Sequence, residues 1–466
     1  MSNKIQIKNV TEDQNGEYDL YVASEKIHIR RIKGLFRNLR LFGGIFLFAL
    51  FFGFVWLNYN GTQAVLWDLP KREFSIFWMT FAPKDLIYLA CALIICAFGL
   101  FFITAVAGRV WCGYTCPQSV FTWVFMYIEE KCEGKRNARI KMDKQANSLN
   151  KIARRFTKHV LWLMVGFATG VTFVGYFSPI RELVPDLFMG TAHYWEYFWV
   201  GFFTLATYGN AGWLREQVCI YMCPYSRFQS VMFDKDTLVI AYDTKRGEKR
   251  GSRRKDADPK DLGLGDCIDC DLCVHVCPTG IDIRDGLQIE CIGCAACVDA
   301  CDSVMDQMGY DRGLVKYTSE NAQEGKAFKL FRPRVIFYAA LLVFMSGAMV
   351  WSISNRSNVD IEVTRERGKL YNVSEGQITN SYEFKLTNTT QTSQIYSINV
   401  VGNVNITFDI DPTWSLSALE SKKVDVKLLM PLDKIDAYSY DLELQVLQDN
   451  QIIESEVTTF MTNWNP

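Results

Sequence analysis

Several common signatures are missing from the sequence. It contains no C-x-x-C-H motif, so no c-type haem is attached to this chain and any haem must belong to a partner. No cysteine lies beyond Arg356, so the C-terminal part needs no disulfide and offers no redox site of its own. No apolar run precedes Leu41, which does not fit a cleavable signal peptide. The formal net charge is -1, so total charge identifies no class of partner.

Apolar residues are gathered into long uncharged stretches. Charged residues make up 22% of the chain and lie mostly outside these stretches. A helix of about 20 apolar residues crosses the hydrocarbon core of a bilayer. The sequence therefore predicts a polytopic α-helical membrane domain, with five spans in Leu41–Trp67, Leu86–Gly108, His159–Ile180, Tyr197–Leu214 and Val335–Asn355. The first span is expected from Leu41 to about Tyr59.

Basic residues are concentrated on one side of the predicted spans. Clusters precede the first span, separate the second from the third and follow the fourth, whereas only Arg181 lies between the third and fourth. The positive-inside rule then places the N-terminus and the segment between spans four and five in the cytoplasm, and everything after span five outside. Because a position beside the membrane explains these charges, we expect no nucleic-acid binding.

Eight of the 15 cysteines form two identical runs. Each run has the spacing C-x2-C-x2-C-x3-C, and the second repeats the first after 24 residues. This spacing is typical of bacterial two-cluster ferredoxins, in which the fourth cysteine of each run binds the other run's [4Fe-4S] cluster. A structural zinc site or a set of disulfide bonds would leave some of these eight cysteines without a role. The predicted sets are Cys267, Cys270, Cys273 and Cys301 for one cluster, and Cys291, Cys294, Cys297 and Cys277 for the other.

Two further cysteine pairs follow the second and fourth spans. C-G-Y-T-C-P begins at Cys112 and C-I-Y-M-C-P begins at Cys219, 107 residues later, so both fit C-x-Y-x-C-P and indicate a tandem repeat. If helical, cysteines at i and i+4 share one face, and each proline breaks the helix or starts the next one. Soft thiolates suit Cu(I), but could equally hold an iron–sulfur cluster or cycle between dithiol and disulfide. The candidate ligands are Cys112, Cys116, Cys219, Cys223 and Met222.

The sequence beyond the fifth span predicts a different kind of domain. Seven short runs rich in β-forming residues predict an all-β sandwich of immunoglobulin type. These runs are Val359–Thr364, Tyr382–Thr387, Gln394–Val401, Asn405–Ile410, Lys423–Met430, Tyr438–Val446 and Ser455–Met461. Since the sandwich lacks cysteine, we expect it to bind a partner rather than to carry chemistry.

The predicted organisation is therefore multidomain. It consists of a basic cytoplasmic lead (1–40), a membrane domain with spans one to four and both cysteine pairs (41–232), a basic linker (233–265), an α+β two-[4Fe-4S] ferredoxin-type domain (266–302), a second linker (303–333), the fifth span (334–355) and the external β-sandwich (356–466).

This layout resembles the CcoG/FixG family, the cytochrome c oxidase accessory proteins of bacteria, over nearly the whole chain. The resemblance implies a multi-pass protein of the bacterial inner membrane that helps to assemble a cbb3-type haem–copper oxidase. It further implies reduction of Cu(II) to Cu(I), with Cys112, Cys116, Cys219 and Cys223 as copper-handling thiols and the eight ferredoxin cysteines as the source of electrons. Expected partners are membrane lipid, an unidentified cytoplasmic electron donor, and subunits of the oxidase or copper chaperones.

Two other functions fit the same residues. The first is a membrane electron-transfer subunit of a quinol-linked respiratory chain, because membrane ferredoxins of quinol dehydrogenases also carry C-x3-C-P motifs. The second is a non-catalytic assembly protein, whose external sandwich docks the assembling oxidase while the clusters only sense redox state. Oxidation of the reduced protein by a quinone rather than by copper would distinguish the quinol-linked subunit from a copper reductase.

Overall fold

In the computed structural model of the protein, residues 27–462 are described except 60, 78, 82–84, 256, 258, 260, 356–358, 367, 369, 375, 389, 391, 403–404, 418–419 and 449–450. Residues 1–26 of the predicted lead thus lie outside the described residues. The chain forms two compact units. One comprises Met1–Phe42, Ala107–Leu161 and Leu214–Phe328, and the other Gly43–Val106, Trp162–Trp213 and Lys329–Pro466.

The first unit contains both cysteine-rich regions. Its α-helices are Val110–Tyr114, Pro117–Glu133, Arg136–Lys144, Pro224–Met232, Thr244–Gly247, Leu272–His275, Ala296–Met308 and Glu320–Gln323, with a π-helix at Val218–Met222 and a 3-10 helix at Ile283–Asp285. Strand Val239–Tyr242 pairs antiparallel with Val315–Thr318. Both strands lie in the predicted linkers 233–265 and 303–333, and they share a buried core with Ala295 and Val298. The ferredoxin fold therefore uses chain on both sides of the cysteine runs.

The first long helix, Leu35–Phe54, is capped by the ferredoxin region. The carboxylate of Asp299 accepts hydrogen bonds from the backbone of Phe36 at 3.1 Å and of Arg37 at 2.8 Å. Gly34 permits this approach, since a Cβ there would lie 2.2 Å from Asp299 Cγ. A carboxylate at a helix start satisfies free amides and favours the helix dipole. The helix consequently begins at Leu35, before the predicted Leu41.

Four helices of the described residues are long and apolar enough to cross a membrane. They are Leu35–Phe54, Leu86–Ala107, Leu149–Val174 and Pro333–Ser354. They overlap the predicted spans one, two, three and five. The third begins ten residues before His159, because basic residues continue the helix beyond the apolar stretch.

The predicted fourth span is not one uniform α-helix. An α-helix covers Tyr194–Thr207, and a π-helix follows at Tyr208–Leu214. The side chain of His193 caps the start of the α-helix by accepting a hydrogen bond from the backbone N–H of Trp195 at 3.4 Å. Whether this composite segment crosses the bilayer stays a prediction. The change of helix type lies just before the second cysteine pair, and π-helical turns are frequent at functional sites.

The loop predicted between the first two spans is partly folded. Val65–Asp68, Glu73–Ile76 and Met79–Phe81 form an antiparallel sheet, and Asn58–Tyr59 pairs with Thr62–Gln63. The amide of Gln63 donates to Gly175 O at 2.7 Å and accepts from Ile180 N at 2.9 Å. This buried side chain thus ties the loop to the turn before helix Ile180–Met189.

Two antiparallel sheets form a β-sandwich after the last long helix. One sheet has the order Thr407–Phe408, Ser421–Pro431, Gln377–Asn388 and Val359–Arg365, with Asn372–Ser374 also paired to Gln377–Asn388. The other has the order Thr413–Leu416, Gln394–Val401, Ser439–Gln448 and Gln451–Met461. All seven predicted strands are present. Asn372–Ser374 and Thr413–Leu416 were missed, because such short edge strands carry little periodic signal.

The sandwich is held by apolar packing and by hydrogen bonds between its sheets. Phe384, Leu444 and Phe460 are fully buried in one core. The buried amide of Asn380 donates to Met461 O at 2.8 Å and accepts from Met461 N at 3.0 Å, so its polar groups are satisfied across the sandwich. The hydroxyl of Tyr382 likewise donates to Thr459 O at 2.9 Å.

We expect Leu444→Ala to destabilise the sandwich by about 2–5 kcal/mol, because it removes fully buried methyl groups and leaves a cavity. Val457→Ala is the control, since Val457 is 72% exposed in the same sandwich and its truncation should change stability by less than about 0.5 kcal/mol. Limited proteolysis of the full chain during thermal unfolding measures both. Equal resistance of the two variants would contradict this assignment of the core.

Candidate metal centres and the thiol site beside them

The two ferredoxin runs repeat in backbone conformation as well as in sequence. Asp269 and Gly293 occupy equivalent places and have φ values of 54° and 65°. Asp271 and Ala295, two residues further on, have φ values of 52° and 56°. Positive φ is uncommon outside glycine and concentrates at ligand sites. Each run therefore folds into the same type of loop around its cysteines.

The eight ferredoxin cysteines line two separate cavities. One cavity is lined by Cys267, Cys270, Cys273 and Cys301. The second is lined by Cys277, Cys291, Cys294 and Cys297, and Cys273 also reaches it. Crossed ligation, with the fourth cysteine of each run serving the other cluster, requires this division.

The chemistry of these cavities suits a metal–sulfur group. Apolar side chains surround the sulfurs, including Met305 and Leu314 in the first cavity and Ile283 and Ile292 in the second. Burial raises the pKa of Cys291 and of Cys301 to about 12. The thiols must therefore lose protons when metal binds, as thiolate ligation demands.

Arg284 braces the first cavity. Its guanidinium is 7% exposed and pairs with Asp269 at 2.6 Å, Asp271 at 2.5 Å and Asp282 at 2.6 Å. The hydrogen bond that Arg284 donates to Asp282 raises the pKa of Arg284. Asp269 and Asp271 are two of the residues with positive φ, so one buried cation fixes the loop between Cys267 and Cys273.

The two C-x-Y-x-C-P motifs have related but unequal backbones. Cys112 lies in helix Val110–Tyr114, whereas Cys219 lies in π-helix Val218–Met222. Cys116 and Cys223 precede the next helices, whose first residues are prolines. The alternative in which each proline starts a new helix is therefore the observed one. Neither pair lies on one continuous helix, because the second cysteine of each stands at the break.

The four thiols of these motifs are neighbours. Burial raises the pKa of Cys112 to about 12 and that of Cys219 to about 11, and in both cases the nearby Cys116 sulfur adds to the shift. Cys223 acts in the same direction on Cys219. Met222, the fifth predicted ligand, is 61% exposed and is the least enclosed of the set. The structure thus brings the two cysteine pairs into one region, here called the thiol site.

The thiol site touches the second ferredoxin run. Cys112 packs against the buried cluster that contains Cys294 and Ile292. At Gly113 an added Cβ would lie 2.8 Å from Gly293 O and 2.9 Å from Cys294 Cα. Two glycines therefore allow backbone to meet backbone between the first motif and the loop of the second cavity.

Arg109 crosslinks this contact. Its guanidinium donates to the backbone carbonyls of Ile289, of Cys291 at 3.0 Å and of Ser226 at 2.7 Å. Ser226 Oγ in turn donates to Cys223 O at 3.0 Å. Burial lowers the pKa of Arg109, and the sulfurs of Cys112 and Cys291 oppose the shift. One side chain consequently joins the first motif, the second motif and the ferredoxin loop.

Gln229 lies fully buried against the thiol site. The Cys112 thiol donates to Gln229 Oε1 at 3.4 Å, while Gln229 Nε2 has no hydrogen-bond partner among the described residues. A cleft opens beside Cys219 and reaches Pro278 and Thr279, which also line the second ferredoxin cavity. A small substrate could therefore approach Cys219 close to that cavity.

A buried ion-pair network fixes the flanks of the two motifs. Glu129 is fully buried and pairs with Arg215 at 2.8 Å and with Arg139 at 3.3 Å. Glu133 pairs with Lys158 at 2.6 Å. Removing one partner of such a buried ion pair is strongly destabilising, because the other charge is left unpaired. Since Arg215 precedes Cys219 and Glu129 lies on the helix after Cys116, the network holds the two halves of the thiol site together.

The sequence interpretation missed Arg109, Gln229 and Arg284 as site residues. One signal was available for Arg109. The 107-residue repeat aligns Arg109 with Glu216, so the two motifs differ in the sign of a charge three residues before the first cysteine. Nothing local marked Gln229 or Arg284, because their roles depend on contacts formed between distant segments.

Comparisons with known proteins place these features in context. A model of the 4Fe-4S dicluster domain family matches residues 214–320, and a model of the IG-like fold at the C-terminus of FixG matches residues 349–463. The first match includes the paired strands and the second cysteine motif as well as both ferredoxin runs. An iron–sulfur domain and an immunoglobulin-like domain are therefore both present.

Three relatives are similar to this protein over most of the chain. Protein RdxB of Cereibacter sphaeroides is 40% identical over 407 residues, covering 84% of this chain and 85% of that protein. Nitrogen fixation protein FixG of Rhizobium meliloti is 35% identical, covering 82% and 80%. Protein RdxA of Cereibacter sphaeroides is 36% identical, covering 83% and 84%. A crystal structure of a FixG-related protein from Vibrio parahaemolyticus is 21% identical, covers 23% of this chain and 100% of its own, and has a TM-score of 0.22, too low to support an argument.

Gly113→Ala should separate the first motif from the ferredoxin loop, because the new methyl group would meet backbone atoms that cannot move independently. We expect a loss of about 1–3 kcal/mol in stability and a lower iron content after purification. Gly201→Ala is the matched control, since nothing lies within 4 Å of a Cβ at that helical glycine. Iron analysis and thermal unfolding compare the two. Normal iron and stability in Gly113→Ala would refute the close approach.

Proposed function

The chain belongs to the CcoG/FixG family, and we propose that it delivers electrons from two [4Fe-4S] clusters to the thiol site, where Cu(II) is reduced to Cu(I) for assembly of a cbb3-type cytochrome oxidase. Family membership and the dicluster domain identify a membrane iron–sulfur redox protein. The observation that carries the finer proposal is the packing of Cys112 against the buried cluster containing Cys294. This contact supports the proposal, because it brings the first cysteine of one motif beside the ferredoxin domain.

The ferredoxin cysteines are proposed to hold the two clusters in the sets that line the two cavities. Cys267, Cys270, Cys273 and Cys301 would bind one cluster, and Cys277, Cys291, Cys294 and Cys297 the other. When bound, such clusters supply one-electron transfer. Cys270 is exposed, whereas Cys294 is buried next to Cys112. The first cavity is therefore the one open to a cytoplasmic electron donor.

The thiol site is proposed to bind the copper substrate. Thiolates favour Cu(I) over Cu(II), so ligation by Cys112, Cys116, Cys219 and Cys223 would stabilise the reduced product. The exposed thioether of Met222 suits transfer of that soft ion to or from the site. One electron reduces each copper ion, and it comes from the donor by way of the ferredoxin domain.

A five-span topology is proposed for the membrane part. The basic loops favour a cytoplasmic N-terminus and a cytoplasmic ferredoxin domain. With five crossings the sandwich is then periplasmic, facing the side on which oxidase subunits or copper chaperones would bind it. The electron donor and the thiol site lie on the cytoplasmic side in this arrangement.

Copper reduction tests the proposal directly. The anaerobically purified, dithionite-reduced and desalted protein should convert added Cu(II) to Cu(I), measured with a Cu(I)-specific chelator. A Cys112→Ser, Cys219→Ser double variant should lose most of this activity, because it removes the first thiol of each motif. Cys132→Ser, which changes a cysteine outside the motifs, is the control and should retain it.

A reduced protein that ignores copper but is rapidly oxidised by a soluble quinone analogue would favour the quinol-linked alternative. Equal copper reduction by the double variant and the Cys132→Ser control would instead remove the thiol site from the reaction.

Iron analysis tests the cluster assignment separately. Two [4Fe-4S] clusters give about eight irons per chain. Cys294→Ser should lower this number and weaken the reduced electron paramagnetic resonance signal, because it removes a buried ligand of the second cavity. Cys91→Ser, in the membrane helix Leu86–Ala107, should leave both unchanged. A wild-type content near four irons would contradict the assignment of two clusters.

A further inference from the structure

The central tyrosines of the two C-x-Y-x-C-P motifs lie in different surroundings. Tyr114, in the first motif, is half-buried, and its hydroxyl lies 3.4 Å from that of Tyr317 on strand Val315–Thr318. Tyr221, at the equivalent place in the second motif, is 57% exposed. Tyr114 therefore contacts the ferredoxin fold, whereas its counterpart is largely open.

Tyr317 links Tyr114 to the loop of the second cavity. Its hydroxyl donates to Gly293 O at 2.6 Å, and Gly293 lies between Cys291 and Cys294 in the sequence. A phenol carries a single proton, so the Tyr317 oxygen accepts a hydrogen bond from the hydroxyl of Tyr114. The two hydroxyls thus form a chain that ends on a carbonyl between two predicted cluster ligands.

Packing holds the Tyr317 ring in place. The ring centroid lies 5.4 Å from that of Phe36, with the two planes inclined at 59°. Both rings pack against the buried core that contains Ala295 and Val298. Because the ring is restrained by these neighbours, the hydroxyl stays within reach of Gly293.

The first ferredoxin run lacks this arrangement. Asp269 is the equivalent of Gly293 and has a similar φ. Within the described ranges no side chain donates to the Asp269 carbonyl, and Arg284 binds its carboxylate instead. The hydroxyl chain consequently distinguishes two loops whose backbones are otherwise alike.

Gly293 also contacts a ligand sulfur directly. Its backbone N–H hydrogen-bonds to the sulfur of Cys291. Hydrogen bonds to the sulfurs help to set the potential of an iron–sulfur cluster, because they favour the more negative, reduced state. A donor on the Gly293 carbonyl restrains the residue that makes this bond, and hydrogen bonds in a chain strengthen one another. Loss of the hydroxyls should therefore make the second cluster harder to reduce.

We propose that Tyr114 and Tyr317 are positioning residues of the second cluster, whose reduction potential they raise by restraining Gly293. This inference rests on the proposed function and adds to it. The tyrosine of the first motif would help to set the potential of the cluster beside the thiol site, whichever chemistry the cysteines of the motif carry out.

The test is a redox titration of the full chain in detergent, followed by electron paramagnetic resonance of the reduced clusters. Tyr317→Phe removes the hydroxyl that reaches Gly293 but keeps the ring that packs against Phe36. One of the two titration steps should move to lower potential by about 30–60 mV, which is roughly a three- to tenfold change at 59 mV per tenfold for one electron. The iron content should match wild type.

Tyr114→Phe is the second variant, and it keeps the test decisive if Tyr317→Phe loses iron. It should move the same step in the same direction but by less, because the bond from Tyr317 to Gly293 remains. Tyr221→Phe is the matched control, since it removes the exposed hydroxyl of the other motif and should move neither step. Tyr242→Phe checks which cluster is affected. Tyr242 lines the first cavity and not the second, so the step that Tyr317→Phe moves should stay in place.

The outcomes separate this inference from the proposed function. If Tyr114→Phe and Tyr317→Phe retain iron and both steps stay at wild-type potential, the tyrosines have no such role while the two clusters stand. A shift with Tyr317→Phe alone would overturn the link to the first motif. An equal shift with Tyr221→Phe, or a shift of the same step with Tyr242→Phe, would overturn the assignment to the second cluster. A wild-type chain with a single titration step and about four irons would remove that cluster and both proposals with it.

Discussion

The close approach of Gly113 to Gly293 and Cys294 is the constraint on which the functional unit depends. Side chains on either glycine would push the first thiol motif away from the second ferredoxin run. Gly293 is restricted twice, because its φ of 65° disfavours other residues and its missing Cβ would meet the backbone of Arg109. Tyr317 adds a third restraint, donating to Gly293 O at 2.6 Å. A redox domain and a thiol site thereby share one packed interface.

Electrostatics then divides this unit into two environments. Around Glu129 and Glu133, two buried carboxylates pair with Arg139, Arg215 and Lys158, which fixes the helices that carry them. Around Arg109 the guanidinium is held by hydrogen bonds to backbone carbonyls, including those of Cys291 and Ser226. The same low polarity that makes an unmatched charge costly also strengthens its effect on an ion brought nearby. The ion pairs of Glu129 and Glu133 therefore fix the helices, whereas Arg109 links the first motif to the ferredoxin loop.

Patterns with a short repeat were readable from the sequence alone. The cysteine spacing predicted two equivalent runs, and their backbones repeat at Asp269 and Gly293. Alternation of apolar residues predicted the main strands of the sandwich, and apolar length predicted four of the long helices. In each case the information lies within one stretch of chain, where spacing alone determines which side chains share a face.

Features built from distant segments were not predictable in the same way. The strands Val239–Tyr242 and Val315–Thr318 pair with each other although they flank the ferredoxin runs in the sequence, and each is only four residues long and lies in a predicted linker. The role of Arg109 depends on carbonyls about 117 to 182 positions away along the chain. No local pattern reports such contacts, because they exist only after the fold has formed.

The cap on the first long helix has a consequence for biogenesis. Two amides at the start of Leu35–Phe54 are satisfied by Asp299, which the ribosome adds more than 260 residues later. Until the second ferredoxin run has been synthesised and folded, the first membrane helix carries an uncapped start. Asp299 lies between Cys297 and Cys301 on helix Ala296–Met308, so the segment that carries two predicted cluster ligands also completes the first long helix. The start of the first long helix and the fold of the second ferredoxin run therefore depend on the same carboxylate.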